Sequence, residues 1–236
     1  MTIQEQKEIE ANVASARERI AQAAQKAGRK PEDILLVAAT KMNDAERVQA
    51  AVRAGIDVCG ENRVQELLAK YDEHAYDGCP LHFIGTLQSN KVKYLMGKVS
   101  MIESVSSVKL ASVISKEAKK AGLVQDILLE INIGREPAKL GIDPDEVEET
   151  VHAISEMDNL SIRGLMAIPP KPDENRENTY YFDRMSQLFV DISAKKYDNV
   201  SMDYLSMGMS ADFETAIFCG ANIVRLGTTI FGARHY

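Results

Sequence analysis

The sequence predicts an α/β fold, a single (β/α)8 barrel of the TIM type preceded by an extra N-terminal helix. Short apolar runs alternate eight times with helical patterns, and no Pro-, Gly- and Ser-rich linker divides the 236 residues. This alternation is typical of parallel strands joined by right-handed helical crossovers. Eight units in a chain of this length favour a closed barrel, with an open, doubly wound sheet as the alternative. We therefore expect one domain over residues 1–236.

The individual elements follow from hydrophobic periodicity and from residues typical of helix ends. Ile9, Val13 and Ile20 share one face of a helix over residues 3–28, which Gly28 ends. Apolar runs predict strands at residues 34–39, 56–59, 82–84, 99–102, 126–131, 161–167, 202–205 and 223–226. Helices are predicted between them at residues 44–54, 63–71, 89–96, 108–121, 144–157, 176–195 and 212–219. The proline-rich segment 168–172 is predicted to be a stiff loop.

The composition argues against several classes of protein. The net charge of −7 is spread along the chain, so nucleic-acid binding has no support. No segment approaches the roughly 20 apolar residues of a membrane span, and the N-terminus lacks the apolar core of a signal peptide. The three cysteines have no metal-binding spacing, and Cys59 and Cys219 are expected to be buried thiols. We expect a cytoplasmic protein with no membrane or nucleic-acid partner.

The last fifth of the chain contains two turns that are suited to binding a phosphate. These turns, residues 206–210 and 227–229, each lie between an apolar run and a helical pattern. The first residues of a helix expose free N–H groups and the positive end of the helix dipole. Glycine lets the backbone approach an anion closely, and serine and threonine add hydroxyl donors. The residues that we expect at one phosphate site are Ser206, Gly208, Ser210, Gly227 and Thr228.

Lys41 is the candidate for covalent chemistry. It follows the first apolar run, so we expect it at the mouth of the barrel, where the active sites of this fold lie. Partial desolvation there lowers the pKa of the lysine amine and frees it for Schiff-base formation. The alternative is an ordinary solvated loop lysine. An aldehyde that carries a phosphate would need both this amine and the phosphate site.

Three further polar residues have more than one interpretation. Arg225, at the end of the eighth run, can pair with the phosphate, face a ring nitrogen or form a rim salt bridge with a helix acid. Asn62 can hydrogen-bond a phenolic oxygen or cap the helix that follows it. His82 opens the third strand, where a histidine is more often a satisfied core residue than a catalyst.

Seven segments of the chain resemble a known family. They are VAATK, CGENRVQE, HFIGTLQSNK, INIGREPAKLGI, IRGLMAIPP, YLSMGMSADFETAI and VRLGTTIFGAR, in this order. The chain is similar to the YggS/PROSC family of pyridoxal 5′-phosphate (PLP) homeostasis proteins from about residue 5 to its C-terminus. The resemblance implies a barrel of PLP fold type III, similar to the N-terminal domain of alanine racemase.

The resemblance also implies roles for particular residues. It implies PLP held as a Schiff base on Lys41, and Arg225 facing the pyridine nitrogen by similarity to alanine racemase. It implies phosphate contacts from Ser206, Ser210, Gly227 and Thr228. The remaining cofactor-binding residues that we expect are Asn62, Met166 and Gly208. The first motif departs from the family, since it reads ATKMND rather than a sequence closer to VSKTKP.

The same comparison favours a carrier over an enzyme. Racemase-like enzymes need a second β-domain that encloses the site, and we expect none here, because the sequence ends directly after the eighth unit. An open site favours cofactor binding and delivery, with PLP-dependent apo-enzymes as recipients and a monomer or weak homodimer as the assembly. The alternatives are a PLP-dependent amino-acid racemase-like enzyme and a phosphosugar-binding barrel enzyme without PLP.

Overall fold

Eight parallel strands form a closed barrel in the computed structural model, which describes residues 1–170 and 178–232. The strands are β1 Leu35–Ala39, β2 Val58–Glu61, β3 Leu81–Phe83, β4 Met101–Val105, β5 Gln125–Ile131, β6 Leu160–Ala167, β7 Val200–Met209 and β8 Ile223–Leu226. Each strand pairs with the next in chain order, and β8 pairs with β1. The predicted closed barrel is therefore confirmed, and the open sheet is wrong.

Helices follow the strands on the outside of the barrel. The α-helices are α1 Ile3–Lys26, α2 Ala45–Arg53, α3 Val64–Asp72, α4 Val108–Ala121, α5 Val147–Ser155, α6 Asn178–Ser193, α7 Phe213–Phe218 and α8 Thr228–Phe231. The helix predicted at 89–96 is instead a 3₁₀-helix over Ser89–Tyr94, in which only Val92 is buried. One buried residue gives no apolar stripe to hold a regular α-helix against the barrel. The predicted loop and helix residues 171–177 lie outside the described residues.

The N-terminal helix α1 is the extra element that the sequence predicts. Thr2 and Glu5 form a capping box at its start, and its buried face includes Val13 and Ile20. The helix packs against α2, α7 and α8, which follow β1, β7 and β8. Asn12 donates a hydrogen bond from Nδ2 to the carbonyl oxygen of Ile230 in α8, 3.0 Å away. Thus α1 covers the helices around the seam where the first and last strands meet.

The interior of the barrel has an apolar layer below a polar one. The apolar layer consists of Val37, Val58, Met101, Leu128, Met166 and Ile223. Three strands extend further than the apolar runs predict: β2 reaches Glu61, β4 reaches Val105 and β7 reaches Met209. Ser206 and Gly208 therefore lie in β7, which corrects their predicted place in a turn. The strands continue because their polar side chains find buried partners, several of them on other strands.

The cysteines, metal-binding residue types and apolar helices can be compared with what the composition predicts. Cys59 and Cys219 are buried free thiols, as predicted, and Cys79 is half-buried. Residues 1–170 and 178–232 contain no cluster of His, Cys, Asp and Glu that is arranged to hold a metal ion. Within the same ranges, no helix has the length and apolar character that a membrane span requires.

Candidate functional site

The first and eighth strands bring the two ends of the predicted site together at the barrel mouth. In their parallel register, Ala38 pairs with Leu226. A Cβ atom built on Gly227 would lie 3.5 Å from the Cβ of Ala39, in ordinary van der Waals contact. Lys41 follows Ala39 by two residues and is half-buried. Lys41 therefore lies at the carboxyl end of β1, beside the turn that leads from β8 into α8.

The Ser210 hydroxyl is the meeting point of two backbone N–H groups. The amides of Gly227 and Thr229 both donate to Ser210 Oγ, each at 3.3 Å. Both amides belong to the start of α8, where N–H groups have no partner within the helix. Three donors thus converge at one point, in an arrangement that suits the oxygens of a phosphate ester. Thr228 lies between the two amides and is exposed.

Gly208, two residues before Ser210, allows strand β7 to pack closely against helix α7. It has a φ of +91°, and a Cβ atom there would lie only 2.6 Å from the Cβ of Ala216. Only glycine combines this backbone conformation with such close packing. The end of β7 then reaches Met209, whose N–H donates to Asp212 Oδ1 at 2.7 Å. Gly208 thereby supports the position of Ser210 two residues later.

A chain of polar side chains runs through the barrel interior beneath the mouth. His82 Nδ1 lies 2.7 Å from Glu103 Oε1, and the Ser206 hydroxyl donates to Glu103 Oε2 at 2.6 Å. Arg225 donates from Nη1 to the Ser206 hydroxyl and from Nη2 to the carbonyl oxygen of Ala167, the latter at 2.9 Å. Ser206 is thus bonded within this chain, and its predicted phosphate contact stays a prediction.

The charges in this chain stabilise each other although they are buried. Burial lowers the pKa of Arg225, and the carboxylates of Glu103 and Glu130 oppose that effect. Burial is the largest influence on Glu103 and would raise its pKa, but His82, Arg225 and Ser206 together hold the pKa below its ordinary value. Glu103 Oε2 lies 3.8 Å from Arg225 Nη1. The counter-ion of Arg225 is therefore a strand residue inside the barrel, and the rim salt bridge to a helix acid is wrong.

Asn62 follows β2 and does not cap a helix. Arg63 occupies the N-cap position of α3 and makes no side-chain capping bond, so the capping interpretation is wrong. Gly85 packs directly on the backbone of Asn62, since a Cβ atom there would lie 2.2 Å from its carbonyl oxygen. Asn62 Oδ1 is buried and has no hydrogen-bond partner among the described residues. An unsatisfied buried polar atom costs about 1–3 kcal/mol, so this amide is suited to meeting a ligand.

Two other predicted residues lie deeper in the barrel. Met166 is fully buried in the apolar layer and pairs in register with Glu130 on one side and Ser206 on the other. It therefore forms part of the floor beneath the polar chain. His82 is buried with its Nδ1 satisfied by Glu103, which agrees with the prediction of a core histidine.

Glu103 and Glu130 are two acidic residues of the site to which the sequence assigns no role, although Glu103 is predicted directly after the fourth strand. Glu130 lies between two apolar residues of β5, and Glu103 directly follows two apolar residues of β4, so these positions were the available signal. Burial raises the pKa of Glu130, and the charge of Arg225 opposes it. Glu130 also lines a cavity of about 390 Å³ at the rim. Other residues that line this cavity are Thr86, Asn132, Lys139, Leu140 and Ile168.

The comparisons with known proteins agree with this barrel fold. Residues 9–235 match the family model described as alanine racemase, N-terminal domain. The pyridoxal phosphate homeostasis protein of Aquifex aeolicus is 43% identical over 219 residues, which cover 93% of this chain and 95% of that protein. This chain belongs to the pyridoxal phosphate homeostasis protein family.

Other members of the pyridoxal phosphate homeostasis protein family match over similar lengths. The protein of that name from Pseudomonas aeruginosa is 39% identical over 229 residues, covering 97% of this chain and 96% of its own. A solved structure of PipY from Synechococcus elongatus, with PLP bound, superposes with a TM-score of 0.82 at 30% identity. The match covers 95% of this chain and all of PipY. The fold of the family is therefore the closed barrel described above.

Proposed function

We propose that this protein binds PLP at the barrel mouth and takes part in intracellular PLP homeostasis, with the cofactor held as a Schiff base on Lys41. Its relatives carry the name of that function, and PipY was solved with PLP bound. The observation that carries the proposal is the convergence of the Gly227 and Thr229 amides on Ser210 Oγ, beside strand β1, which Lys41 follows by two residues.

The residues at the mouth fit the parts of this cofactor. Ser210 and the amides at the start of α8 offer donors to a phosphate, and Thr228 adds a hydroxyl. Asn62 Oδ1 is buried and lacks a partner among the described residues, and this side-chain amide suits a phenolic oxygen, since turning it by 180° presents its NH₂ group. When bound, PLP supplies an aldehyde that reacts with an amine and a ring that withdraws electrons.

Arg225 determines what kind of chemistry the site favours. Its guanidinium is held between the Ser206 hydroxyl and the Ala167 carbonyl, with Glu103 as counter-ion. A permanently charged donor placed against a pyridine nitrogen disfavours protonation of that nitrogen and weakens the ring as an electron sink. Arg225 in that position supports holding the cofactor rather than carbanion chemistry. We therefore propose a non-catalytic carrier that delivers PLP to apo-enzymes.

The proposal is tested by locating the attachment point. The purified protein is loaded with PLP, reduced with borohydride and digested, and the modified peptide is identified by mass. We expect the label on Lys41 and its loss in Lys41→Ala. Lys139→Ala serves as the matched control, because Lys139 lines the rim cavity but does not follow β1.

Two outcomes contradict the proposal. A label that stays on another lysine in the wild-type protein rules out Lys41 as the attachment point. Exchange of the α-hydrogen of an amino acid with solvent deuterium, abolished in Lys41→Ala, would instead support the racemase-like alternative.

A further inference from the structure

A cluster of buried charged and polar residues lies behind Lys41, between the outside of the barrel and α3. Lys70 is 5% exposed and Glu61 is fully buried. The Lys70 ammonium donates to Glu61 Oε1 at 2.5 Å, to Glu66 Oε1 at 3.1 Å and to the carbonyl oxygen of Thr40 at 2.8 Å. All three ammonium hydrogens are therefore used, and one of them holds the residue that immediately precedes Lys41.

The residues on both sides of Lys41 are fixed by this cluster and by their own turn. The Thr40 hydroxyl donates to Glu61 Oε1 at 2.7 Å. On the other side, the N–H of Met42 donates to Glu66 Oε1. The carbonyl oxygen of Lys41 accepts a bond from Asn43 Nδ2 at 3.1 Å. Two side chains of helix α3 thus form hydrogen bonds with the backbone of the residues just before and just after Lys41.

The backbone at Met42 is strained, and its own side chain does not explain the strain. Met42 has a φ of +63°, a left-handed conformation that costs roughly 1–2 kcal/mol for a residue other than glycine. Its side chain is 57% exposed, so packing of methionine offers no compensation. The hydrogen bond from the Met42 N–H to Glu66 offsets the strain. The strained conformation in turn fixes the direction of the backbone after Lys41.

Stability alone gives no reason to bury these charges. An apolar set of similar volume is commonly as stabilising as a buried ion pair, because taking charges out of water is costly. Hydrogen bonds to charged groups are strongly directional, however, and fix the geometry of the groups that they join. The contacts with Thr40 and Met42 identify the segment whose geometry is fixed.

We propose that Glu66 and Lys70 are positioning residues for Lys41: they hold its backbone from both sides so that its amine enters the mouth in the orientation required for attachment. This inference rests on the proposed function, since it takes Lys41 as the attachment point. Neither residue touches the cofactor in this proposal, because both lie on the opposite side of β1 and β2 from the barrel interior.

The test compares Glu66→Ala with Glu66→Gln. Glutamine keeps an Oε1 atom that accepts from Met42 and Lys70, whereas alanine removes it. In the unloaded protein, we expect faster amide hydrogen exchange at Met42 in Glu66→Ala only. We also expect Glu66→Ala to slow borohydride-trappable attachment of PLP to Lys41 by about ten- to a hundredfold, with Glu66→Gln close to wild type. Glu73→Ala, at the exposed end of the same helix, is the matched control.

A second probe separates positioning from a general structural role. Pyridoxine 5′-phosphate has the ring and the phosphate but no aldehyde. Its dissociation constant therefore measures noncovalent binding at the mouth, without attachment to Lys41. We expect that constant to be unchanged in Glu66→Ala. An equal loss of analogue binding and attachment would overturn the inference, as would an unchanged attachment rate. Absence of any label on wild-type Lys41 would instead overturn the proposed function and this inference together.

Discussion

Glu103 connects the two ends of the polar chain inside the barrel. Its carboxylate contacts His82 and Ser206, and it is the nearest acid to Arg225. Because the residue is fully buried, removing its charge leaves the guanidinium of Arg225 without its main counter-ion. The position of Arg225 therefore depends on a residue that itself lies below the mouth.

Glu103→Gln is expected to lower the free energy of unfolding by about 3 kcal/mol at pH 7. The folded-state pKa of Glu103 is lowered, so its stabilising contribution is present above its unfolded pKa, near 4.5, and is lost as the pH falls through the folded value. The difference from wild type should therefore be smaller at pH 3 than at pH 7. Urea unfolding at both pH values measures it.

Glu156→Gln is the control for this prediction, since Glu156 is an exposed acid at the end of α5. It should change the free energy of unfolding by less than about 0.5 kcal/mol at either pH. If the free energy of unfolding of Glu103→Gln differs from that of wild type by the same amount at both pH values, the charge of Glu103 does not stabilise the folded protein.

The positions of single residues at the barrel mouth were predictable where the signal is local. Lys41 follows an apolar run, and Ser210 and Gly227 lie in turns of small residues, so position alone indicated them. The position of Glu103 after an apolar run did not indicate its role, because its partner Ser206 is 103 residues away in the chain. When strands are predicted from apolar runs, a polar residue marks the end of the strand. The distant partner that would allow the strand to continue is not visible in the local sequence.

At the scale of elements, helix ends were predicted better than strand ends. Helix α4 has both predicted bounds, since Ser107 caps its start through the N–H of Leu110 and Gly122 ends it. Strand β7 was predicted to stop at Leu205, but it continues to Met209. Capping depends on neighbours in sequence, whereas the end of β7 depends on Glu103 and Arg225 from other strands.

Gly208→Ala tests how closely β7 must approach α7. The added methyl group would meet Ala216 at 2.6 Å in a left-handed backbone conformation, so we expect a loss of about 2–4 kcal/mol in the free energy of unfolding. Because Ser210 is displaced with the strand end, the dissociation constant for PLP should also rise. Chemical denaturation and a binding titration measure the two effects.

Gly55→Ala is the matched control for crowding. Gly55 also has a positive φ, of +94°, but no atom lies within 4 Å of the added Cβ position. It should therefore lose only the roughly 1–2 kcal/mol of backbone strain, with PLP binding unchanged. Equal losses in the two variants would mean that contact with α7 is unimportant.

At the scale of the whole molecule, α1 stabilises the seam of the barrel from outside. It contacts the helices that follow β1, β7 and β8, and Arg19 pairs with Glu214 of α7 at 2.9 Å. The sequence predicted the helix from its apolar face, but the identity of the covered helices depended on barrel closure. That closure arises from pairing between strands at opposite ends of the chain.

Ile20→Ala is expected to lower the free energy of unfolding by about 3 kcal/mol, because Ile20 is 1% exposed and its truncation leaves a cavity under α1. Ile3→Ala removes the same atoms from the same helix at a position that is 77% exposed, and should change the value by less than about 0.5 kcal/mol. Denaturant unfolding of both variants makes the comparison. Similar values for the two would mean that α1 is only loosely attached.

Closure of β8 on β1 has a consequence for the newborn polypeptide. A ribosome releases Lys41 about 170 residues before the segment with Ser210 and Gly227. Until β8 docks beside β1, the emerging chain offers an amine without the amides that would anchor a phosphate. In the proposed site, stable capture of the cofactor therefore has to wait until β8 has docked beside β1.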